Sequence, residues 1–159
     1  MIIPFTPLAL SSGNNTDKIV ANTIIEINHD FSYEDFCNTS YTVNLKGKNV
    51  GIVGCGAVGA RVAKIMKAFD ANILIYDPFC KKEDMEKEGY QVMELNELCK
   101  EADVISIHFR LTPETRGMIG KEQFSLMKPT CFLINTARAG LVEEEAMMDA
   151  LINHKIGGA

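Results

Sequence analysis

Apolar residues recur along this chain with two periods, and the change from one to the other marks the elements. A short continuous run, residues 50–53, gives way from residue 57 to Val58, Val62, Ile65, Met66 and Phe69 at helical spacing. Between them stands Gly54-Cys55-Gly56-Ala57-Val58-Gly59, so the pattern predicts strand, tight turn and helix. Asp70 stands at the helix end, where a left-handed residue is usual and glycine adopts that geometry more readily. Residues 72–76 are a second strand pattern, ending in Asp77. A polar stretch, residues 81–88, predicts a short surface helix, Gln91-Val92 a brief third strand, and residues 95–100 a further helix. The β-branched run at residues 104–107 suits a central strand covered on both faces. Thr112-Pro113-Glu114-Thr115 opens a turn with proline at a helix-starting position. Residues 121–127 predict a short helix stopped by Pro129, and residues 131–134 the next buried strand. Glu143-Glu144-Glu145 begin a helix whose inner face is Ala146, Met147, Ala150 and Leu151. Residues 155–159 lead toward another strand, for which the sequence leaves no room.

Ahead of the first glycine turn the pattern is weaker. Residues 1–16 hold two prolines and a loop-like Ser11-Ser12-Gly13-Asn14-Asn15. Residues 17–28 can form a helix with Ile19, Val20, Thr23, Ile24 and Ile27 as an apolar stripe, capped by Asn15 or Thr16. Residues 31–44 read as loop with one helical turn around Glu34 and Asp35. The division falls near residue 45, leaving 46–159 as the main domain.

Strands alternating with helices imply an α/β fold: a doubly wound parallel sheet with right-handed crossovers and helices on both faces. Ligands in such folds bind beyond the strand C-termini. Four polar or glycine-rich tips converge there: residues 54–59, Asp77, residues 108–112 and residues 135–140.

The glycine turn carries definite chemistry. Gly54 lets the chain turn off the strand, Gly56 lets a pyrophosphate approach bare backbone, and Gly59 lets the helix lie close to the sheet. A pyrophosphate would then meet the unpaired N–H groups and positive dipole end of the helix. Asp77 comes about twenty residues past the turn, where a carboxylate accepts the ribose hydroxyls and repels a 2′-phosphate, favouring NAD over NADP. The plainer alternative is that Asp77-Pro78 only starts a turn.

Composition narrows the picture. The chain has 159 residues, 47% of them hydrophobic and 23% charged, which suits one soluble globular domain. A net charge of −5 with no basic cluster argues against nucleic acid as a partner. Five cysteines without a C-x-x-C pair favour free thiols in a reducing cytosol, and no metal site. No apolar run is long enough for a membrane span, and no export signal is visible.

Several of these segments together closely resemble one family. Residues 51–59, Ile75-Tyr76-Asp77-Pro78, residues 102–108, Leu111-Thr112-Pro113-Glu114-Thr115-Arg116-Gly117 and the run from Met127-Lys128-Pro129 through Asn135-Thr136-Ala137-Arg138-Ala139-Gly140 resemble the D-isomer-specific 2-hydroxyacid dehydrogenases, the family of phosphoglycerate dehydrogenase. The resemblance covers roughly residues 17 to 159 and is strongest from Lys46 onward. It implies a Rossmann-type domain binding NAD through Gly54, Gly56, Ala57, Val58 and Gly59, with Asp77 on the ribose. It also implies cofactor contacts at Phe109, Thr136, Ala137 and Arg138. Arg138 matches the catalytic arginine that orients the substrate carboxylate and polarises the reacting carbonyl, a task suited to a planar, permanently charged fork. Its plain alternative is a surface arginine on a turn.

The family's acid/base histidine and its glutamate partner lie downstream of the arginine signature, beyond residue 159, so the resemblance implies a fragment that is inactive alone. His108 matches a different family histidine, with a structural or cofactor-side role; His29 and His154 read as surface or packing residues. Residues 1–45 would be a remnant of the substrate domain with its interdomain helix. Arg110 stands where proline is common, and Asp70 where glycine is. The expected whole is a cytoplasmic homodimer acting on a small 2-hydroxyacid or 2-oxoacid. The rival is an NAD(H)-sensing binding module of the same fold, corepressor-like and without dehydrogenase activity. The adenosylhomocysteine hydrolases, which share the NAD domain, are disfavoured by residues 111–117 and 135–140.

Overall fold

A computed structural model describes residues 45–159. The expected helix at residues 17–28, the loop at 31–44, His29 and Cys37 lie outside the described residues. Five strands alternate with helices: β1 (Asn49–Val53), α1 (Ala57–Ala68), β2 (Asn72–Tyr76), α2 (Lys82–Lys87), β3 (Gln91–Val92), α3 (Leu95–Glu101), β4 (Val104–Ile107), α4 (Lys121–Leu126), β5 (Phe132–Asn135) and α5 (Glu144–Ile152), with a 3₁₀ turn at Ala139–Leu141. The strands form one parallel sheet in the order β3-β2-β1-β4-β5. The order reverses at β1, between the crossover to β2 and the one to β4, which opens a crevice at the carboxyl end of β1.

Side chains alternate across the sheet and feed two cores. Val53, Leu74, Ile105, Ile107 and Leu133 face α3, α4 and α5, meeting Leu98, Phe124 and Ala150. Val50, Ile52, Ile73 and Ile75 face the other way, toward Ala63 of α1 and Met85 of α2. Burial on both faces explains why the central strands read as unbroken apolar runs instead of alternating ones.

Helix α1 departs from its apparent amphipathic pattern. Its buried residues are Gly59 and Ala63, flanked by half-buried Val62 and Met66, while Val58, Ile65 and Phe69 are exposed. Closeness to the sheet is the cause: a Cβ at Gly59 would stand 2.0 Å from the Gly54 carbonyl oxygen. Only small residues fit beneath the helix, and the large ones are pushed to its sides. Asp70 does take the left-handed conformation, with φ at 60°.

The turn expected at residues 112–115 is present: residues 113–117 form turns, held by the Thr112 and Thr115 hydroxyls, and the Thr115 Oγ1–H donates to the Arg110 carbonyl at 2.7 Å. One other expectation shifts. Beyond α5 the chain turns back beside β5, with Ile156 buried, Gly158 in a parallel bridge to Phe132, and the Leu133 N–H donating to the Gly158 carbonyl at 3.0 Å. Residues 155–159 therefore hold the first pairing of the further strand that the pattern announced.

Candidate cofactor site

The glycine turn and the end of β2 are joined by hydrogen bonds. Gly54 has φ at 96°, and its N–H donates to the Tyr76 carbonyl at 2.8 Å. The Cys55 N–H donates to Asp77 Oδ2 at 2.7 Å, and the Phe79 N–H donates to Asp77 Oδ1 at 2.8 Å. Each carboxylate oxygen thus has one backbone donor and lone pairs to spare. Asp77 is fixed against the turn with acceptor capacity left for hydroxyls.

The three glycines have three different surroundings. A Cβ at Gly59 would meet backbone, and one at Gly54 would lie 3.0 Å from the Phe109 nitrogen, but one at Gly56 has nothing within 4 Å. Gly56 borders open space at the N-terminus of α1, where no side chain caps the helix and the first turn carries no acidic residue. Open space, uncapped N–H groups and a positive dipole end suit a phosphate group.

On the other side of β1 the strand β4 delivers His108 and Phe109. The His108 N–H donates to the Val53 carbonyl at 2.8 Å, which holds Phe109 against Gly54. The Phe109 ring reaches toward β2, with its centroid 6.1 Å from that of Tyr76. His108 Nε2 lies 3.0 Å from the Ser106 hydroxyl, and burial pushes its pKa below the ordinary histidine value. It is a half-buried, hydrogen-bonded group, in keeping with a structural role.

Thr136, Ala137 and Arg138 lie farther along, beyond β5 and separated from β1 by β4. The Asn135 amide organises this loop: its Oδ1 accepts the Ala137 N–H at 3.1 Å and its Nδ2 donates to the Arg138 carbonyl at 2.9 Å. Arg138 is exposed, and among the described residues its Nη1 donates to the neighbouring Ala137 carbonyl, at 2.7 Å. The loop is also laced to residues 111–119. The Gly117 N–H donates to the Gly140 carbonyl at 2.9 Å, and the Ile119 N–H to the Leu141 carbonyl at 3.1 Å.

Two positions important to this geometry carry weaker signals in the sequence. Asn135 was visible only as part of a polar run. Gly51 sits mid-strand, where a Cβ would stand 2.5 Å from Leu98 Cδ2, so its absence lets α3 press onto β1. A glycine inside a strand is the signal of such a close approach.

A strand–glycine turn–helix unit with an acid at the next strand end has the build of a dinucleotide site. The sequence profile of the D-isomer specific 2-hydroxyacid dehydrogenase NAD binding domain matches residues 20–159. The chain belongs to this family. D-3-phosphoglycerate dehydrogenase of Methanocaldococcus jannaschii is 46% identical over 118 residues, which are 74% of this chain and 22% of that protein. Glyoxylate reductase of Aeropyrum pernix is 46% identical over 110 residues, 69% of this chain and 32% of that protein. Among solved structures, D-lactate dehydrogenase with NAD+ from Lactobacillus jensenii superposes with a TM-score of 0.72 at 30% identity, covering 94% of this chain and 48% of that one. The chain therefore spans less than half the length of these relatives. As a family domain it is an NAD-binding domain, and the family's members are dehydrogenases. Among the described residues no helix is long and apolar enough to cross a membrane.

Proposed function

We propose that residues 46–159 are the cofactor half of an NAD-dependent dehydrogenase that acts on a D-2-hydroxyacid/2-oxoacid pair, and that residues 1–45 belong with its substrate domain. The observation that carries the cofactor assignment is the Asp77 carboxylate held on the Cys55 and Phe79 N–H groups beside the open space at Gly56.

On this reading Gly54, Gly56, Ala57, Val58 and Gly59 present backbone to the pyrophosphate. Asp77 accepts the adenosine ribose hydroxyls, and Phe109, Thr136, Ala137 and Arg138 line the remainder of the cofactor. NAD(H), when bound, supplies or takes up the hydride. Arg138 binds and orients the carboxylate of the 2-oxoacid with a two-pronged guanidinium, and polarises its carbonyl. Reduction also needs a proton on the carbonyl oxygen, and a positioned acid contributes about 10²–10⁴-fold. His108 is engaged by Ser106, and His154 follows α5, where the chain turns back to run beside β5. Neither described histidine serves as that acid, so we assign the acid/base pair to residues outside 45–159 and expect residues 45–159 alone to bind cofactor without turnover.

A cytoplasmic homodimer is part of the same reading. The described cysteines are free thiols, as a reducing compartment favours. The exposed Val58, Ile65 and Phe69 along α1 offer apolar surface to an interface.

Calorimetry tests the assignment. NADH should bind saturably, NADPH more weakly, and Asp77→Ala should cost about tenfold or more in NADH affinity, the worth of one hydrogen bond to a charged group. Equal binding of NADH by the variant would remove Asp77 from the site. Saturable NADH binding with no 2-oxoacid reduction after the chain is combined with a substrate domain would favour the sensing module instead.

A further inference from the structure

Phe79 is the most exposed large apolar residue among the described ones, at 87%. An exposed apolar residue is common enough by itself, and its place is what gives this one meaning. Phe79 stands in the turn Asp77-Pro78-Phe79-Cys80 that leaves β2, and its N–H donates to Asp77 Oδ1 at 2.8 Å. The Cys80 N–H closes the turn on the Asp77 carbonyl at 3.3 Å. Proline fixes φ at position 78, and half-buried Cys80 packs onto the core beneath α1. The backbone that carries Phe79 is therefore tied on both sides, while the ring is left in solvent. A flat ring on a fixed backbone has little freedom left to lose when a partner lies against it.

The neighbouring carboxylate indicates which partner. Asp77 keeps lone pairs on both oxygens beyond the Cys55 and Phe79 N–H groups, and on the NAD reading these accept the adenosine ribose hydroxyls. In adenosine the base is carried on C1′, which is bonded directly to the C2′ that bears one of those hydroxyls. The base then lies within a side chain's length of the carboxylate. So does the Phe79 ring, because the Phe79 nitrogen itself touches Oδ1. The other end of the dinucleotide must run toward β4 and β5, where Arg138 stands beyond the last strand, so the base beside Asp77 is adenine and not nicotinamide. A purine offers a flat π-face to such a ring, and stacking of that kind works through area and polarisable faces without needing a hydrogen bond.

We propose that Phe79 is a further cofactor-binding residue, whose ring stacks on the adenine of NAD(H) and shields one face of it from water. The inference rests on the NAD reading of Asp77 and deepens it: Asp77 holds the ribose, Phe79 the base, and one four-residue turn holds the adenosine. The contact is remote from the reacting carbon, so it is made equally in the ground state and the transition state. Its loss belongs in affinity for the cofactor and not in the rate of hydride transfer.

Calorimetry and fluorescence on the full chain test this. Phe79→Ala should bind NADH and ADP-ribose about tenfold more weakly than the parent, within the range of one base stacked on an aromatic ring. Phe79→Tyr, which keeps the flat face, should retain the parent's affinity. Both variants should melt with the parent, since the ring stands in solvent. The chain has no tryptophan, so Phe79→Trp places a single indole at the site. ADP-ribose should change its emission saturably, with the dissociation constant that calorimetry gives, while ribose 5-phosphate, which lacks the base, should leave it unchanged. Unaltered NADH affinity in Phe79→Ala, or an indole that does not respond while calorimetry records binding, would overturn the proposal and leave the Asp77 assignment standing. Self-association of the parent that Phe79→Ala abolishes, with NADH affinity unaltered, would give the ring to a second copy of the chain and overturn it equally. A folded parent that binds no NADH would defeat the NAD reading itself, and this inference with it.

Discussion

The two ends of the sheet are built on opposite terms. At the amino end polar groups satisfy one another: Asp103 Oδ2 accepts the Asn49 N–H at 2.9 Å, Lys128 pairs with Asp103 Oδ1 at 3.0 Å, and Lys128 Nζ also donates to the Glu101 carbonyl at 2.7 Å. Asn49 Nδ2 donates to that same carbonyl at 2.9 Å, and Asn72 Nδ2 to Asn49 Oδ1 at 3.1 Å. At the carboxyl end the capacity is left open. Asp77 keeps free lone pairs, Gly56 borders empty space, and Arg138 is exposed on its loop. Among the described residues the ion pairs are all made by lysine, none by arginine. One end spends its polar groups on stability, and the other reserves them for a ligand, as expected of strand C-termini in a parallel sheet.

The comparison is tested hardest inside the glycine turn, where both purposes meet within four residues. In Gly59→Ala the new methyl would stand 2.0 Å from a backbone oxygen that has nowhere to go. We expect a loss of about 3 kcal/mol or more in denaturant melts, the scale of severe overpacking. Gly56→Ala places its methyl in open space with φ at −70°, which alanine accepts. Its melt should match the parent to within about 1 kcal/mol, while NADH affinity drops because the methyl occupies the room a pyrophosphate needs. Equal destabilisation of the two variants would mean that Gly56 serves the scaffold.

At the amino end the prediction reverses. Burial alone would raise the Asp103 carboxyl, but the Asn49 N–H and the Lys128 ammonium outweigh it and hold the pKa below 3.8. A group depressed in the folded state stabilises fully above its unfolded value and loses that contribution as pH falls through the folded one. Asp103→Asn should therefore cost about 1–3 kcal/mol at neutral pH. The gap to the parent should narrow as pH falls below the ordinary carboxylate range, with NADH affinity unchanged in the folded variant. A gap independent of pH would show that the charge of Asp103 contributes nothing.

Legibility in the sequence follows the same division. The strands at β1, β2, β3 and β4 and the glycine turn were readable because each rests on local pattern: a β-branched run, a glycine at a fixed offset, an acid at a strand end. The inner face of α1 was not, because Val58, Ile65 and Phe69 match helical spacing while the decisive contact is Gly59 against Gly54, a matter of tertiary distance. The role of Asn135 depends on where its amide points, which no spacing encodes.

Arg138 should show the smallest effect on the fold, and that smallness is informative. Its guanidinium donates to one neighbouring carbonyl and is otherwise exposed, while the loop itself is held by Asn135 and by the Gly117 and Ile119 N–H groups. Arg138→Ala and Arg138→Lys should both melt within about 0.5 kcal/mol of the parent, as surface substitutions do. In the chain combined with its substrate domain both should lose 2-oxoacid reduction, the lysine variant included, because an ammonium cannot reproduce a bidentate fork. A shared loss of more than about 1 kcal/mol in the melts would instead make Arg138 a tie within its loop. That would put the far side of the carboxyl end in the same class as the Asp103–Lys128 pair, and leave the glycine turn and Asp77 as the extent of the reserved surface.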